Sequence, residues 1–339
     1  MKFERVCLGA AEGHILGHNV SHEGRRVLKK GRRLGSEEVV ALARAGNEYV
    51  YVAMLGPEDV EEDAAALRIG RALAQAGSVV LKPAYGGRAS LCAPGHGVLA
   101  VASDTLLELN LLDGVTLATL PSGCAVGPSQ TLATLKVIPF ALPETIVAAA
   151  EAIAARGPLA FRALLQRRVM ILVSGGASRR PRLFEPYRAA LAARLGSLGQ
   201  RSVDAAYVEL AADPEGELAA AIAAQLDAGI ELLIVVGETA TMDADDLAPR
   251  AIARAGGTVD VVGAPVFPGN LLLLAHRGPS LILGAPGCVR SRARNVVDLL
   301  LPRLLLGERL GRRDVAELGQ RGLLEESGSD QPPEGPGDA

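Results

Sequence analysis

The sequence lacks tryptophan and is poor in aromatic residues of every kind. Phe and Tyr together make up 3% of its 339 residues. Aliphatic side chains must therefore fill the core, and a nucleic-acid groove that stacks bases on aromatic rings is disfavoured. The formal net charge is −3, so the chain as a whole does not attract polyanions. We therefore expect no nucleic acid among its partners.

Cysteines and long apolar runs are also scarce. The four cysteines are scattered along the chain as Cys7, Cys92, Cys124 and Cys288. They form no Cys-x-x-Cys pair, which is unlike a disulfide framework or a zinc knuckle. No apolar run reaches the roughly 18–20 residues of a membrane span, and a charge and a glycine follow Met1 too soon for a signal peptide. These absences predict a cytoplasmic protein without a membrane partner.

Hydrophobic residues, by contrast, make up 49% of the chain, and its length is typical of about two domains. Residues 1–160 contain short apolar runs between glycine-rich turns, which predicts a mixed, β-rich α+β region. Helices are expected there at residues 37–45, 60–76 and 144–156. Residues 327–339 are rich in Gly, Ser, Pro and acidic residues, a composition that predicts a disordered tail.

Residues 166–310 have a different pattern, in which short apolar strands alternate with helices. The predicted strands are 169–174, 202–210, 232–236, 258–262, 270–275 and 280–283, and the predicted helices are 184–195, 216–227, 247–255 and 294–306. The strand at 232–236 is purely apolar, as expected of a strand that is buried on both faces. The pattern therefore predicts an α/β domain of three layers, with a mostly parallel sheet between two layers of helices.

In an open α/β sheet, ligands bind beyond the carboxyl ends of the strands. Three loops follow predicted strand ends: loop one (174–178), loop two (237–246) and loop three (284–291). Each combines glycine with hydroxyl residues, and glycine lets backbone N–H groups come close to an anion. Loop three adds Arg290, whose guanidinium suits phosphate oxygens, and helices predicted after loops two and three would point their N-termini at the same place. The loops therefore predict a site for a phosphate-bearing ligand.

Loop two also carries three carboxylates, those of Asp243, Asp245 and Asp246. Carboxylates beside a phosphate suit Mg²⁺, which is bound partly through substrate oxygens. The same residues would also suit the start of the next helix, because a carboxylate there accepts hydrogen bonds from the N–H groups of the first turn. Both interpretations stay open at the level of the sequence.

The order of these loops resembles the molybdopterin-binding fold of MoeA-like and Mog-like proteins. That family has a strand-end Thr-Gly, then a Gly-Gly-x-Ser/Thr loop followed by Asp, then a Leu-Pro-Gly-x-Pro-like loop that leads into a long helix. The matching segments here are Ser174-Gly175, Val236-Gly237-Glu238-Thr239 with Asp243 to Asp246, and Ala285-Pro286-Gly287-Cys288 with Ser291. More weakly, residues 13–20 and 30–34 resemble the opening domain of the molybdotransferases, whereas residues 84–134 match nothing that we can name.

The resemblance implies molybdopterin as the ligand, with Mg²⁺ as a second cofactor. It implies cofactor-binding roles for Ser174, Gly175, Gly237, Thr239, Pro286, Gly287, Arg290 and Ser291. The backbone of Gly175, Gly237 and Gly287 would face the pterin or its phosphate. Asp246, or otherwise Asp243, would be the catalytic acid and a ligand of Mg²⁺.

The implied function is binding of molybdopterin, or of its adenylylated form, in molybdenum cofactor biosynthesis, with help to molybdate insertion or adenylyl transfer. The alternative is a carrier without catalysis that delivers the cofactor to a molybdoenzyme or a nucleotidyltransferase. Asp243 and Asp246 favour the enzyme. Glu238, which replaces the second loop glycine of the family, and the altered third loop favour the carrier. The resemblance also implies a homo-oligomer.

Two further patterns in the first region suggest binding. His14, His18 and His22 are spaced four apart, which on a helix would place three imidazoles on one face and suit a metal. Glycines interrupt any helix there, so hydrogen-bonded or solvated histidines are favoured. The basic run at residues 25–33 suits a polyanion or, more commonly, the solvated face of a hairpin.

Overall fold

The computed structural model describes residues 1–83, 85–239 and 241–324. The predicted disorder of residues 327–339 lies outside this described part. The chain divides into two compact units, one formed by residues 1–95 and 99–162 and the other by residues 96–98 and 163–339. None of the described helices is both long and apolar enough to span a membrane.

The chain up to residue 163 is rich in short strands. These strands are β1 (Lys2–Cys7), β2 (Ile15–Leu16), β3 (Val20–His22), β4 (Arg25–Leu28), β5 (Tyr49–Met54), β6 (Asp59–Glu61), β7 (Val80–Pro83), β8 (Arg88–Cys92), β9 (Gly97–Val101), β10 (Val115–Thr119), β11 (Ala125–Val126), β12 (Thr131–Val137), β13 (Ala141–Pro143) and β14 (Leu159–Ala163). The helices are α1 (Ser36–Arg44), α2 (Glu62–Gly77), α3 (Ser103–Asn110) and α4 (Glu144–Ala154). The mixed, β-rich character predicted for this region is therefore observed.

The largest sheet of the first unit has the strand order β10-β12-β8-β7, and its pairs are antiparallel. Helices α2 and α4 pack with it around buried Leu73, Leu135 and Val147. Helix α3 was not expected from the sequence, because it is short and lies between two strand-like runs. It ends at Asn110, whose amide accepts a hydrogen bond from Leu117 N (2.6 Å) and donates one to Leu117 O (3.1 Å).

The basic run forms β4, which pairs with β3 in a hairpin, and the loop after β4. Arg32 forms an ion pair with Glu38 at 2.6 Å, and Arg33 forms one with Glu61. The three histidines do not share a helix face, because this segment contains strands. His18 instead packs edge-on against the rings of Phe3 and Tyr51, with centroid distances of 5.5 and 5.2 Å.

The second unit contains the alternating elements that the sequence predicts. The strands are β15 (Val169–Gly175), β16 (Val203–Glu209), β17 (Leu232–Gly237), β18 (Thr258–Val262), β19 (Leu273–Arg277) and β20 (Ser280–Gly284), and the helices are α5 (Arg180–Ser197), α6 (Pro214–Asp227), α7 (Leu247–Arg254), α8 (Val296–Leu305) and α9 (Arg312–Glu317). They form one sheet with the order β16-β15-β17-β20-β19-β18. β19 runs antiparallel to both of its neighbours, whereas β15, β16, β17 and β20 are mutually parallel.

Alternate residues of the central strands enter two different cores. Ile171, Ile234 and Leu283 pack on one face with residues of α5 and α8. Leu172, Leu233 and Ile282 pack on the other face with residues of α6 and α7. All six are at most 1% exposed. Burial on both faces explains why these strands are apolar throughout and places helices on both sides of the sheet.

Candidate functional site

The carboxyl ends of β15, β17 and β20 lie side by side. Ser174 is paired with Gly237, and Val235 is paired with Gly284. Because these neighbouring strands are parallel, loops one, two and three start at the same edge of the sheet. The loops enclose a pocket of about 140 Å³. Its lining includes Ser174, Tyr187, Gly237, Glu238, Thr239, Thr241, Gly284, Gly287 and Arg290.

Of the residues predicted for the site, Ser174, Gly237, Thr239, Gly287 and Arg290 line this pocket. Gly175 instead packs against protein, since a Cβ there would lie 2.9 Å from Tyr207 Oη and 3.0 Å from Leu183 Cδ1. Pro286 is buried and precedes the 3-10 helix Gly287–Arg290. Ser291 accepts a hydrogen bond from Ala293 N at 3.0 Å. Gly175, Pro286 and Ser291 therefore shape the described loops rather than line the pocket.

The ends of loops one and two are in close contact. A Cβ on Gly237 would lie 2.7 Å from Ser174 Oγ and 3.2 Å from Ser174 O. The Ser174 hydroxyl, which is buried, donates to Val236 O at 3.3 Å, and Glu238 N donates to Ser174 O at 3.0 Å. Only glycine fits at position 237 without a shift of one of these strand ends.

The side chain of Glu238 turns towards loop one and is 36% exposed. Its Oε1 forms an ion pair with Arg179 Nε at 2.7 Å, and its Oε2 accepts a hydrogen bond from Gly176 N at 3.3 Å. The carboxylate therefore contacts one donor in loop one, the Gly176 N–H, and one cationic donor just after it, Arg179.

The carboxylates of loop two are hydrogen-bonded within the loop. Asp246 Oδ2 accepts hydrogen bonds from both Met242 N and Asp243 N, and Asp243 Oδ1 accepts one from Asp245 N at 2.8 Å. Asp246 occupies the position that precedes α7, but its side chain caps no N–H group of that helix. In the described residues, no group of three or more His, Cys, Asp or Glu side chains is arranged to hold a metal.

Tyr187 is a pocket residue that the sequence analysis did not single out. It extends from α5, is 3% exposed and donates from its hydroxyl to Gly237 O at 3.3 Å. Burial raises the pKa of Tyr187, and the nearby Arg290, whose guanidinium lies 5.3 Å from the ring centroid, opposes that rise. Tyr187 therefore stays a neutral donor near pH 7. The sequence feature that could have identified Tyr187 is its position midway between Leu183 and Leu191. This spacing of four residues is typical of the buried face of a helix.

Tyr207, at the end of β16, holds loop one from the other side. Its hydroxyl donates to Gly176 O at 2.8 Å. Burial raises the pKa of Tyr207, and the carboxylates of Glu238 and Glu209 raise it further. Tyr207 is therefore also a neutral donor near pH 7, so its hydrogen bond to the loop persists there.

Arg194 of α5 anchors loop three and was also missed. Its side chain is 11% exposed and forms an ion pair with Asp298. Its guanidinium donates to Asp298 Oδ1 (2.9 Å) and to the carbonyl oxygens of Ala190 (3.3 Å), Val289 (2.9 Å), Ser291 (2.7 Å) and Ala293 (3.1 Å). Three of these carbonyls belong to loop three or the residues just after it, so Arg194 fixes the backbone that carries Arg290.

The helix after loop three begins later than predicted, and its described N-terminal residues are not among those that line the pocket. α8 is preceded by Asn295, whose side chain accepts a hydrogen bond from Val297 N at 3.0 Å. Asp298 in turn accepts one from Asn295 N at 2.9 Å. This capping box satisfies N–H groups that an anion would otherwise bind.

A family model described as a domain of unknown function, DUF8806, matches residues 5–54. No curated protein matches the chain. Among solved structures, the chain is similar to the molybdopterin biosynthesis Mog protein from Mycobacterium ulcerans, with 18% identity and a TM-score of 0.30 over 41% of this chain and 94% of that one. It is also similar to a molybdopterin biosynthesis MoeA protein from Pyrococcus horikoshii, with 13% identity and a TM-score of 0.30 over 93% of this chain and 75% of that one. At these TM-scores, the function of the chain has to be argued from its own loops.

Proposed function

We propose that the chain binds molybdopterin, or its adenylylated form, in molybdenum cofactor biosynthesis, and that the ligand's phosphate lies in the pocket at loops one to three. The observation that carries the proposal is the convergence of Gly237, Gly284, Gly287 and Arg290 in one pocket beyond three neighbouring strand ends. Such a pocket suits a phosphate, because glycine lets the backbone come close and a guanidinium supplies charge. The loop order that resembles MoeA-like and Mog-like proteins supports the pterin.

Mg²⁺ belongs to this proposal through Asp243 and Asp246. Each carboxylate uses one oxygen for the loop hydrogen bonds described above and keeps its second oxygen. Asp243 and Asp246 are not among the residues that line the pocket, and Mg²⁺ held by them would take phosphate oxygens and water as its other ligands. When bound, the ion would neutralise charge on the phosphate. The protein's own contribution is to hold the two carboxylates in place through the loop backbone.

The test is fluorescence-detected titration of the full chain with purified molybdopterin, with and without Mg²⁺ and ATP. We expect saturable binding with a Kd of about 1 μM or tighter, which corresponds to about −8 kcal/mol. Absence of binding under all of these conditions would contradict the proposal.

A second candidate function, that of a carrier without catalysis, is favoured by the hydrogen bonds of Asp246. Its carboxylate serves the shape of loop two, a role that requires no turnover. The enzyme, which would assist molybdate insertion or adenylyl transfer, requires Asp246 to act on the ligand's phosphate or on Mg²⁺. Substitution of Asp246 separates the two functions.

We expect Asp246→Asn to bind molybdopterin within about threefold of the wild-type affinity, a loss of less than ~1 kcal/mol. Both loop hydrogen bonds end on one oxygen, and an asparagine oxygen in its place can accept both. In an enzyme, adenylyl transfer or molybdate insertion measured with Mg²⁺ should fall about 10²–10³-fold, as when one stabilising group is lost. In a carrier, wild type and variant should be equally inactive in both assays.

A further inference from the structure

The side chain of Glu238 reaches from loop two to loop one and fills a position there that an anionic ligand group would otherwise occupy. The Gly176 N–H and the Arg179 guanidinium are the two kinds of donor that bind phosphate oxygens in such loops. Here both donors contact the carboxylate of Glu238, at 3.3 and 2.7 Å. A Cβ on Gly175 would lie 3.3 Å from Glu238 Oε2, so the carboxylate also fills the space beside the loop backbone. The protein thus supplies its own anion at loop one.

Among the described residues that line the pocket, the cationic one is Arg290, which belongs to loop three. Arg290 contacts the ring of Tyr187 and the carbonyl oxygen of Gly287, neither of which carries a charge. Loops one and three follow β15 and β20, which are separated by β17 and therefore lie about 10 Å apart, or two strand spacings. The same pocket is lined by Glu238 and by Arg290. One phosphate at Arg290 is favoured, whereas a second phosphate that extends towards loop one meets a carboxylate that already occupies the donors there.

We propose that Glu238 determines ligand specificity by filling the anion position of loop one, so that the pocket accepts a phosphate monoester at loop three and disfavours a pyrophosphate. This inference rests on the proposed function and deepens it. It assigns molybdopterin, which has one terminal phosphate, as the preferred ligand over the adenylylated form, whose pyrophosphate would reach towards Glu238.

The test compares inorganic phosphate with pyrophosphate as probes of the full chain, by calorimetric titration at fixed pH and ionic strength. The measured quantity is the ratio of the phosphate Kd to the pyrophosphate Kd. We expect Glu238→Ala to raise this ratio about tenfold over wild type, because the Gly176 N–H and the Arg179 guanidinium become available to the second phosphate. Glu238→Gln should raise the ratio less, since the amide oxygen can still accept the hydrogen bond from Gly176 N.

Glu209→Gln is the matched control, because it removes one carboxylate charge near loop one without freeing the donors that Glu238 occupies. We expect it to change the ratio less than about twofold, as for an exposed and screened charge. The inference is overturned if Glu238→Ala changes the ratio no more than Glu209→Gln, or if Glu238→Ala does not bind pyrophosphate.

These outcomes are distinguishable from failure of the proposed function, which is tested by binding of molybdopterin to the wild type. If the wild type does not bind molybdopterin but Glu238→Ala raises the ratio, the role of Glu238 as an internal anion is supported and the pterin is not the ligand. If the wild type binds molybdopterin and the ratio does not change, the specificity role of Glu238 is overturned and the proposed function is supported.

Discussion

Replacement of Arg194 by alanine is expected to destabilise the second unit by about 1.5–3 kcal/mol, as for the loss of hydrogen bonds to a charged group in a partly buried ion pair. The substitution leaves Asp298 without its guanidinium and removes the donor shared by four backbone carbonyls. Because three of these carbonyls hold the backbone in and just after loop three, we also expect the loop to lose its fixed shape. Ligand binding through Arg290 should then be lost even at temperatures where the unit remains folded.

The matched control is Arg188→Ala on the same helix. Arg188 forms an ion pair with Glu185 three residues earlier, and both side chains are exposed. An exposed pair of this kind contributes about 0–1 kcal/mol. Urea unfolding followed by circular dichroism should therefore separate the two variants clearly. Equal unfolding midpoints for Arg194→Ala and Arg188→Ala would refute the anchoring role of Arg194. Arg194→Lys should recover only part of the stability, because an ammonium group cannot reproduce the planar fork.

The second large effect is expected for Gly237→Ala, which places a methyl group between the ends of β15 and β17. The new Cβ would lie 2.7 Å from Ser174 Oγ and 3.2 Å from Ser174 O. Ser174 is 4% exposed and its hydroxyl is hydrogen-bonded, so it cannot move aside without cost. We expect destabilisation of about 1–3 kcal/mol, as for an overpacked interior. We also expect about tenfold weaker molybdopterin binding, or ~1.4 kcal/mol, because loop two shifts away from loop one.

Gly196→Ala provides the same chemical change at a place with room for it. A Cβ on Gly196 would meet no atom within 4 Å, and Gly196 lies near the end of α5. Alanine there should leave molybdopterin binding unchanged and stabilise the helix by up to about 1 kcal/mol. If Gly237→Ala behaved like Gly196→Ala in both unfolding and titration, the close contact of the two strand ends would have no energetic role.

Much of the second unit could be predicted from the sequence, because the hydrophobic periodicity of a strand or helix depends only on residues close together in the chain. The strand predicted at 232–236 is β17, and its apolar residues reflect burial on both faces of the sheet. The start of α5 was missed by several residues, since Pro181, Pro186 and a cluster of arginines obscure the helical pattern there. Asn295 was missed as a cap, so the helix that follows loop three was predicted to start before Val296. Helix boundaries depend on single side-chain hydrogen bonds, which periodicity does not encode.

The sequence by itself determined the alternation of strands and helices, the glycine-containing loops at the strand ends and the presence of Arg290 in one of them. The tertiary structure alone decided the direction of Glu238 towards loop one, the contact of Tyr187 with Gly237 and the anchoring of loop three by Arg194. Arg194 donates to Val289 O and to Asp298, which lie 95 and 104 residues further along the chain. The physical reason is that hydrophobic periodicity depends on neighbours within a few residues, whereas a polar side chain is satisfied by whichever distant groups the fold brings within hydrogen-bond distance.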